Sequence, residues 1–158
     1  MSSIKNLLRA FARGSISAIF FVSGVNKILQ WDEISQGLEQ TFLQWQIYLE
    51  ESPFFVEAIR EIVPFVSVLL AVATFFELAG ALLLLSAKAA RLGGVFLILF
   101  LLPVTIVYHP FWLEIGDQVR LQLTKFLSNL AIIGGLLFLV VGPPVRKAPY
   151  EQKKKKIV

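Results

Sequence analysis

Five polar side chains lie within or beside long apolar stretches of this chain of 158 residues, and they are the groups most suited to chemistry. The set comprises two ammonium groups, a carboxylate, an imidazole and an amide: Lys27, Lys125, Glu77, His109 and Asn129. Placing a charged side chain at the centre of a membrane costs about 3 kcal/mol or more, so such residues are rare there and mark candidate functional sites.

Glu77 is the strongest of these candidates. It lies about 13 residues into the second apolar stretch, which corresponds to roughly 20 Å along a helix. Ala73 and Gly80 share its helical face, so a neighbouring helix can approach closely there. The carboxyl group must be protonated, paired or in contact with water. A proton-handling or ligand-orienting role and a buried structural hydrogen bond are both open.

Lys27 lies about 10 Å from one surface of a hydrocarbon core that is about 30 Å thick. One interpretation is that its ammonium reaches outward to the lipid headgroups. The other is that it pairs with Glu77 or with an anionic ligand. The estimated depths of the two residues differ by about 9 Å, so pairing requires a helix shift or two extended side chains.

The remaining three residues lie near the same membrane surface as Lys27. His109 ends the third apolar stretch and is either a solvated or capping residue or a group that titrates near physiological pH. Asn129 lies about one turn into the fourth stretch, with Lys125 one turn before it on the same face, and an amide there usually bonds between helices. Depth alone therefore predicts a polar funnel that is open at this surface and has Glu77 at its base.

The elements that position these residues are predicted to be membrane-spanning helices. The chain is 56% hydrophobic and 16% charged, whereas a soluble domain has about 45–50% apolar and about 25% charged residues. Apolar runs cover about 14–30, 64–87, 92–108 and 126–142, and continuous runs of this kind form helices in lipid. We predict an all-α membrane protein, a bundle of four transmembrane helices with an amphipathic helical loop between the first two spans.

That loop has its own pattern. Apolar residues recur at steps of three and four, which predicts one apolar stripe on a helix over residues 33–50: Ile34, Leu38, Phe42, Trp45 and Leu49. We expect this helix to lie on the membrane surface or over the mouth of the bundle. A second short helix is predicted to start at Ser52 and Pro53, and Pro64 predicts a bend before the second span.

The charges predict the orientation. Most of the 15 Lys and Arg residues flank the spans in three segments that four crossings put on one side, and the loop between the first two spans is acidic. By the positive-inside rule, both termini are cytoplasmic. We predict a cytoplasmic segment over 1–13, a membrane domain over 14–142 and a basic cytoplasmic tail over 143–158, in a bacterial inner membrane or, for a eukaryotic host, the endoplasmic reticulum.

Several partners and cofactors are excluded or disfavoured. The chain has no cysteine and one histidine, which excludes Fe–S clusters, thiolate sites and a multi-histidine metal centre, so we predict no metal. The tail Lys153–Lys156 suits binding to anionic lipid, or a dilysine targeting signal, better than binding to nucleic acid.

Four glycines are predicted to permit close helix packing: Gly24, Gly80, Gly134 and Gly135.

Several short motifs follow one another at a definite spacing: Arg13-Gly14, Ile19-Phe20-Phe21-Val22-Ser23-Gly24, Lys27-Ile28, Glu77-Leu78-Ala79-Gly80, His109-Pro110-Phe111-Trp112, Lys125, Asn129-Leu130-Ala131 and Gly134-Gly135. In their order and spacing the chain resembles the DoxX family of small four-helix membrane proteins over about residues 9–142. The resemblance implies a four-helix integral bundle. Some relatives are membrane subunits of thiosulfate–quinone oxidoreductases or of oxidative-stress assemblies, and more distant ones resemble chaperones.

Three functions follow as hypotheses. The first is an accessory, quinone-interacting membrane subunit of a redox system, with quinone beside Lys27, Glu77 and His109 and with no catalytic motif of its own. The second is a non-enzymatic assembly factor or chaperone with protein partners in the membrane. The third is a small-solute or proton carrier, which is motivated by Glu77 but is weakened by the lack of an inverted repeat.

Overall fold

A computed structural model describes Ser2–Gly142; Met1 and residues 143–158, with the predicted basic tail, lie outside the described residues. Within this part the chain is helical, with six α-helices and no strand: α1 (Ser2–Leu29), α2 (Trp31–Tyr48), α3 (Pro53–Ile62), α4 (Val66–Leu85), α5 (Ala90–Tyr108) and α6 (Asp117–Val141). Four stretches are long and apolar enough to cross a membrane, which confirms the predicted all-α membrane fold.

Two of the spanning helices start earlier than their apolar runs. α1 begins at Ser2, so residues 2–13 continue the first span as one helix, and α6 begins at Asp117, nine residues before the apolar run. Residues 117–125 are mainly good helix formers, and Asp117 lies in the first turn, where its charge complements the helix dipole. Hydropathy therefore locates the hydrocarbon-spanning part of each helix rather than its ends.

The spanning helices pack in chain order, α1 on α4, α4 on α5 and α5 on α6. Their shared core contains four apolar side chains that are fully inaccessible to solvent: Ala81, Leu84, Leu97 and Leu136. Large apolar side chains such as Val22, Phe75 and Phe138 are exposed on the outer faces of the helices. An exposed apolar belt of this kind is stable in contact with lipid chains, and the chain is a multi-pass membrane protein.

α4 and α5 approach most closely at two glycines. A Cβ atom added to Gly93 would lie 2.6 Å from the backbone nitrogen of Leu84 and 2.7 Å from the carbonyl oxygen of Gly80. A Cβ added to Gly80 would meet the side chain of Leu97 at 2.8 Å. The two backbones are therefore in direct contact at this crossing, which side chains on both helices would prevent.

α2 forms a cap over one end of the bundle, hereafter the capped end, and α3 packs against α2 and the turn that leads into α4. The apolar stripe of α2 packs against the start of α4 and the end of α5, with Leu38, Val66 and Leu70 buried at its centre. The indole Nε1 of Trp45 donates a hydrogen bond of 2.9 Å to the carbonyl oxygen of Val107. The amphipathic helix was predicted to lie either on the membrane surface or over the mouth of the bundle. In the structure it lies over the mouth of the bundle.

The short connections follow the predicted signals. Pro53 is the first residue of α3 and Ser52 is its N-cap residue, and a single 3₁₀ turn at Val63–Phe65 contains Pro64 and leads into α4. At the opposite end of the bundle, the guanidinium of Arg91 donates a hydrogen bond to the carbonyl oxygen of Gly142. This contact places a positive charge at the C-terminus of α6, where the helix dipole favours it.

Candidate functional site

Lys27 and Glu77 form an ion pair between α1 and α4. The ammonium Nζ of Lys27 lies 2.8 Å from Oε2 of Glu77, although the residues are 50 positions apart in the sequence. The Glu77 side chain is 1% exposed, whereas that of Lys27 is 18% exposed. The carboxylate is therefore sealed inside the protein, while the ammonium stays within reach of a ligand.

The antiparallel arrangement of α1 and α4 explains how the pair spans the estimated difference in depth. Side chains on a helix lean toward its N-terminus. α1 and α4 run in opposite directions, so Lys27 leans away from the capped end and Glu77 leans toward it. The two long side chains converge, and no shift of either helix is needed.

Neighbouring residues on α1 and α5 complete the environment of the pair. Lys27 Nζ also donates a hydrogen bond of 2.8 Å to Oγ of Ser23, and it lies 5.3 Å from the ring centroid of Phe100. A Cβ added to Gly24 would lie 3.4 Å from Glu77 Oε2, so the absence of a side chain there leaves room for the carboxylate. An ammonium has three hydrogens, and two of them are engaged by Ser23 and Glu77.

A cleft of about 510 Å³ lies between α4 and α5 beneath α2, and Lys27 forms part of its wall. The remaining wall is apolar apart from Tyr108, and it includes Ala73 and Phe76 of α4, Phe100 and Pro103 of α5, and the apolar stripe of α2. Several of its residues, including Leu69, Val72 and Leu99, are exposed on the outside of the bundle. The cleft is therefore an apolar chamber that borders the lipid and contains one cationic hydrogen-bond donor.

His109 belongs to a different part of the molecule. Its Nδ1 lies 2.9 Å from Oε1 of Gln122, which ties the end of α5 to the start of α6. Lys125 is exposed, and Asn129 is partly buried on α6, which packs against α5. Within the described residues, no hydrogen bond or ion pair joins these three side chains to the Lys27–Glu77 pair. The structure thus brings together two of the five predicted site residues.

The four predicted packing glycines fall into two groups. Gly24 and Gly80 are buried against α4 and α5 respectively. Gly134 and Gly135 are exposed on α6, and added Cβ atoms there would meet nothing within 4 Å in the described part of the chain. The expectation of a close helix contact at Gly134 and Gly135 is therefore not met within one chain. Gly93, which had no predicted role, makes the close backbone contact between α4 and α5 instead.

The comparison with family models identifies the family of the chain. The model described as DoxX matches residues 8–110, about two thirds of the chain. The chain belongs to the DoxX family. The match runs from the first turns of α1 to the end of α5, so this DoxX domain includes Lys27, Glu77 and the cleft. Searches of the curated proteins and of the solved structures return no match.

Most of the cleft in this DoxX protein could not be predicted from its sequence. Its lining residues, such as Ala73, Phe76 and Phe100, are of the same apolar types as residues that face lipid. Sequence therefore carries no signal that separates a chamber wall from a lipid-facing surface.

Among the described residues no group of three or more His, Asp and Glu side chains could hold a metal ion.

Proposed function

We propose that this protein binds a lipid-soluble quinone in the cleft and acts as an accessory membrane subunit of a redox system. The observation that carries the proposal is the single ammonium group, Lys27, in the wall of a chamber that borders the lipid and whose remaining wall is apolar apart from Tyr108. A quinone has an apolar tail and carbonyl oxygens that accept hydrogen bonds, so its two parts match the two parts of the cleft.

The dimensions and the donor fit such a ligand. Binding cavities for small molecules usually have volumes of about 300–1,000 Å³ and an apolar lining with few polar groups. Two of the three Lys27 hydrogens are engaged, and the third is free for a carbonyl oxygen in the cleft. Glu77 acts as a positioning residue, because its carboxylate holds the ammonium at the wall of the cleft.

The chain supplies a binding site rather than an electron carrier. A bound quinone would contribute two-electron redox chemistry, and the chain has no cysteine to act as a thiol or as an Fe–S ligand. A partner protein would therefore exchange electrons with the quinone. The role of Lys27 in this proposal is to bind and orient the headgroup.

Filling the cleft tests this function. The probe is a benzoquinone with a decyl tail, titrated into the purified full-length protein in lipid nanodiscs. Ala73→Phe places a ring inside the cleft, whereas Ala71→Phe adds the same ring on the exposed face of α4. We expect binding by the wild type and by Ala71→Phe, and a loss of affinity of at least about tenfold in Ala73→Phe. Equal affinities in the three proteins, or no binding by any, would refute the proposal.

A second candidate function, a membrane assembly factor, is favoured by the exposed Gly134 and Gly135 on α6. Small residues on a helix face permit close approach of another transmembrane helix. Gly135→Cys, in a chain that has no other cysteine, allows crosslinking in native membranes. Recovery of a defined membrane protein at this position, and not at the lipid-facing Phe75→Cys, would support this function. Crosslinks to lipid alone would count against it.

We further propose that both termini are cytoplasmic and that the capped end faces outward, in a bacterial inner membrane or in the endoplasmic reticulum of a eukaryotic host. The acidic side chains of α2, such as Asp32 and Glu39, and the basic residues near the opposite end support this orientation. In a bacterial host, an impermeant maleimide applied to intact cells should label Gln40→Cys but not Ser3→Cys. The opposite labelling pattern would show that the protein has the reverse orientation and would refute this proposal.

A further inference from the structure

A second cavity, of about 180 Å³, lies at the capped end between α2 and the segment that joins α5 to α6. It shares Val107 and Tyr108 with the cleft, but its lining is mainly polar. The volume of this cavity is several times the volume of about 30 Å³ that one water molecule occupies in the liquid. The cavity therefore has room for a ligand of several non-hydrogen atoms. We call it the polar cavity.

Several oxygen atoms around the polar cavity can accept hydrogen bonds. The hydroxyl of Thr41 donates to the carbonyl oxygen of Gly37 at 2.8 Å, and the indole of Trp45 donates to Val107. The amide Nε2 of Gln44 donates to the hydroxyl of Tyr48 at 2.9 Å. These contacts engage donors of the wall, while lone pairs of Thr41 and Tyr48 stay available.

Within the described part of the chain, the lining of the polar cavity carries negative charge and no positive charge. Glu114 lines the polar cavity, and no Lys, Arg or His residue does. Among the described residues Glu114 has no ion-pair partner, since the two ion pairs join Lys27 to Glu77 and Arg60 to Glu57. Glu114 is thus the one charged side chain in the described lining of this cavity, and its carboxylate favours a ligand that donates hydrogen bonds and carries a positive charge.

We propose that the polar cavity binds a primary ammonium group of a small amine or of an aminophospholipid. An ammonium offers three donors, which match the Glu114 carboxylate and the oxygens of Thr41 and Tyr48. The aromatic rings of Trp45 and Tyr48 lie at an interplanar angle of 88° with centroids 6.5 Å apart, and aromatic faces also attract cations. The common border with the apolar cleft suits a lipid whose chains lie beside its headgroup.

The source of the ammonium group is decided by two probes. Ethanolamine is titrated into the protein purified in a detergent without phospholipid, and phosphatidylethanolamine is compared with phosphatidylglycerol by native mass spectrometry of the full-length protein. Binding of ethanolamine would show that a soluble amine is sufficient to occupy the polar cavity. Selective retention of phosphatidylethanolamine without binding of ethanolamine identifies the lipid headgroup. Both outcomes support the ammonium site, and no preference for an ammonium in either experiment would overturn it.

Variants test whether the wall recognises the charge. Glu114→Gln keeps the size of the side chain and removes its charge, and we expect at least about a tenfold loss of affinity, as for a hydrogen bond to a charged group. Glu57→Gln, on the exposed surface of α3, is the matched control and should bind like the wild type. Thr41→Val removes a second acceptor and should weaken binding severalfold. Unchanged affinity in Glu114→Gln, or equal binding of ethylene glycol, would refute the proposal.

Discussion

The ammonium of Lys27 and the carboxylate of Glu77 are 2.8 Å apart, and they join the first and the second membrane-spanning stretches at the wall of the cleft. Taking two charges out of water has a cost that is repaid by good geometry and by further hydrogen bonds. Here Ser23 supplies one further hydrogen bond, and Phe100 faces the ammonium with its ring. The pair therefore links the packing of α1 on α4 to the chemistry of the cleft.

Removing one member of this pair is predicted to destabilise the protein strongly. Glu77→Ala leaves Lys27 as an unpaired charge inside the protein, so the free energy of unfolding should fall by about 3–5 kcal/mol. Replacing both residues, as in Lys27→Met with Glu77→Met, should restore most of that loss. Unfolding in a mixed-micelle denaturant titration measures these values.

The surface pair of Glu57 and Arg60 is the control for this prediction. Its two side chains are 60% and 68% exposed, and such pairs contribute about 0–1 kcal/mol. Arg60→Ala should therefore have little effect on unfolding. A similar loss in Glu77→Ala and Arg60→Ala would contradict the interpretation of Lys27–Glu77 as a buried pair.

Gly93→Ala is predicted to separate α4 from α5. The added methyl would lie 2.6 Å from the backbone nitrogen of Leu84, and backbone cannot yield as a side chain can. Overpacking usually costs about 1–3 kcal/mol, and a contact with backbone belongs at the upper end of that range. Gly135→Ala, which meets open space, should be neutral or stabilising by up to about 1 kcal/mol, since Ala favours the helix. Thermal unfolding in detergent distinguishes the two variants.

Ser17→Ala is predicted to weaken the contact between α1 and α4. The Ser17 hydroxyl donates a buried hydrogen bond of 2.6 Å to the carbonyl oxygen of Ala81. Interhelical hydrogen bonds in membranes contribute about 0.6–1.7 kcal/mol, and a loss of that size is expected. Ser128→Ala is the control, because this exposed hydroxyl bonds to Thr124 within its own helix. Equal stabilities of the two variants would contradict a role for Ser17 in joining the helices.

Trp45→Phe is predicted to loosen the cap. The substitution keeps an aromatic ring but removes the Nε1 donor that holds α2 to the carbonyl oxygen of Val107. We expect faster amide hydrogen exchange in α2, measured by mass spectrometry in nanodiscs, and unchanged exchange at the α4–α5 crossing. Trp112→Phe, at a residue that is 48% exposed, should leave the exchange of α2 unaltered. Unchanged exchange in Trp45→Phe would show that apolar packing alone holds the cap.

Much of the fold could be predicted from local patterns. The four apolar runs predict the spans because hydropathy over about 20 residues is a property of one segment. The stripe through Leu38 and Trp45 predicts an amphipathic helix, and Ser52 with Pro53 predicts the start of α3, because periodicity and capping are also local. The helix ends at Ser2 and Asp117 were missed, since hydropathy marks the hydrocarbon boundary and not the end of the backbone hydrogen bonding.

The candidate site depended on tertiary structure. Sequence identified Lys27 and Glu77 as unusual residues in a membrane, but it placed them at different depths and grouped them with His109 and Asn129. The rotation of each helix about its axis decides which side chains meet, and that rotation is set by packing between distant segments such as the Gly80–Gly93 crossing. The same packing separates α4 from α5 beneath the cap and so forms the cleft. The sequence by itself determined which helices exist and which side chains are costly in lipid, and tertiary packing decided which of those side chains are partners.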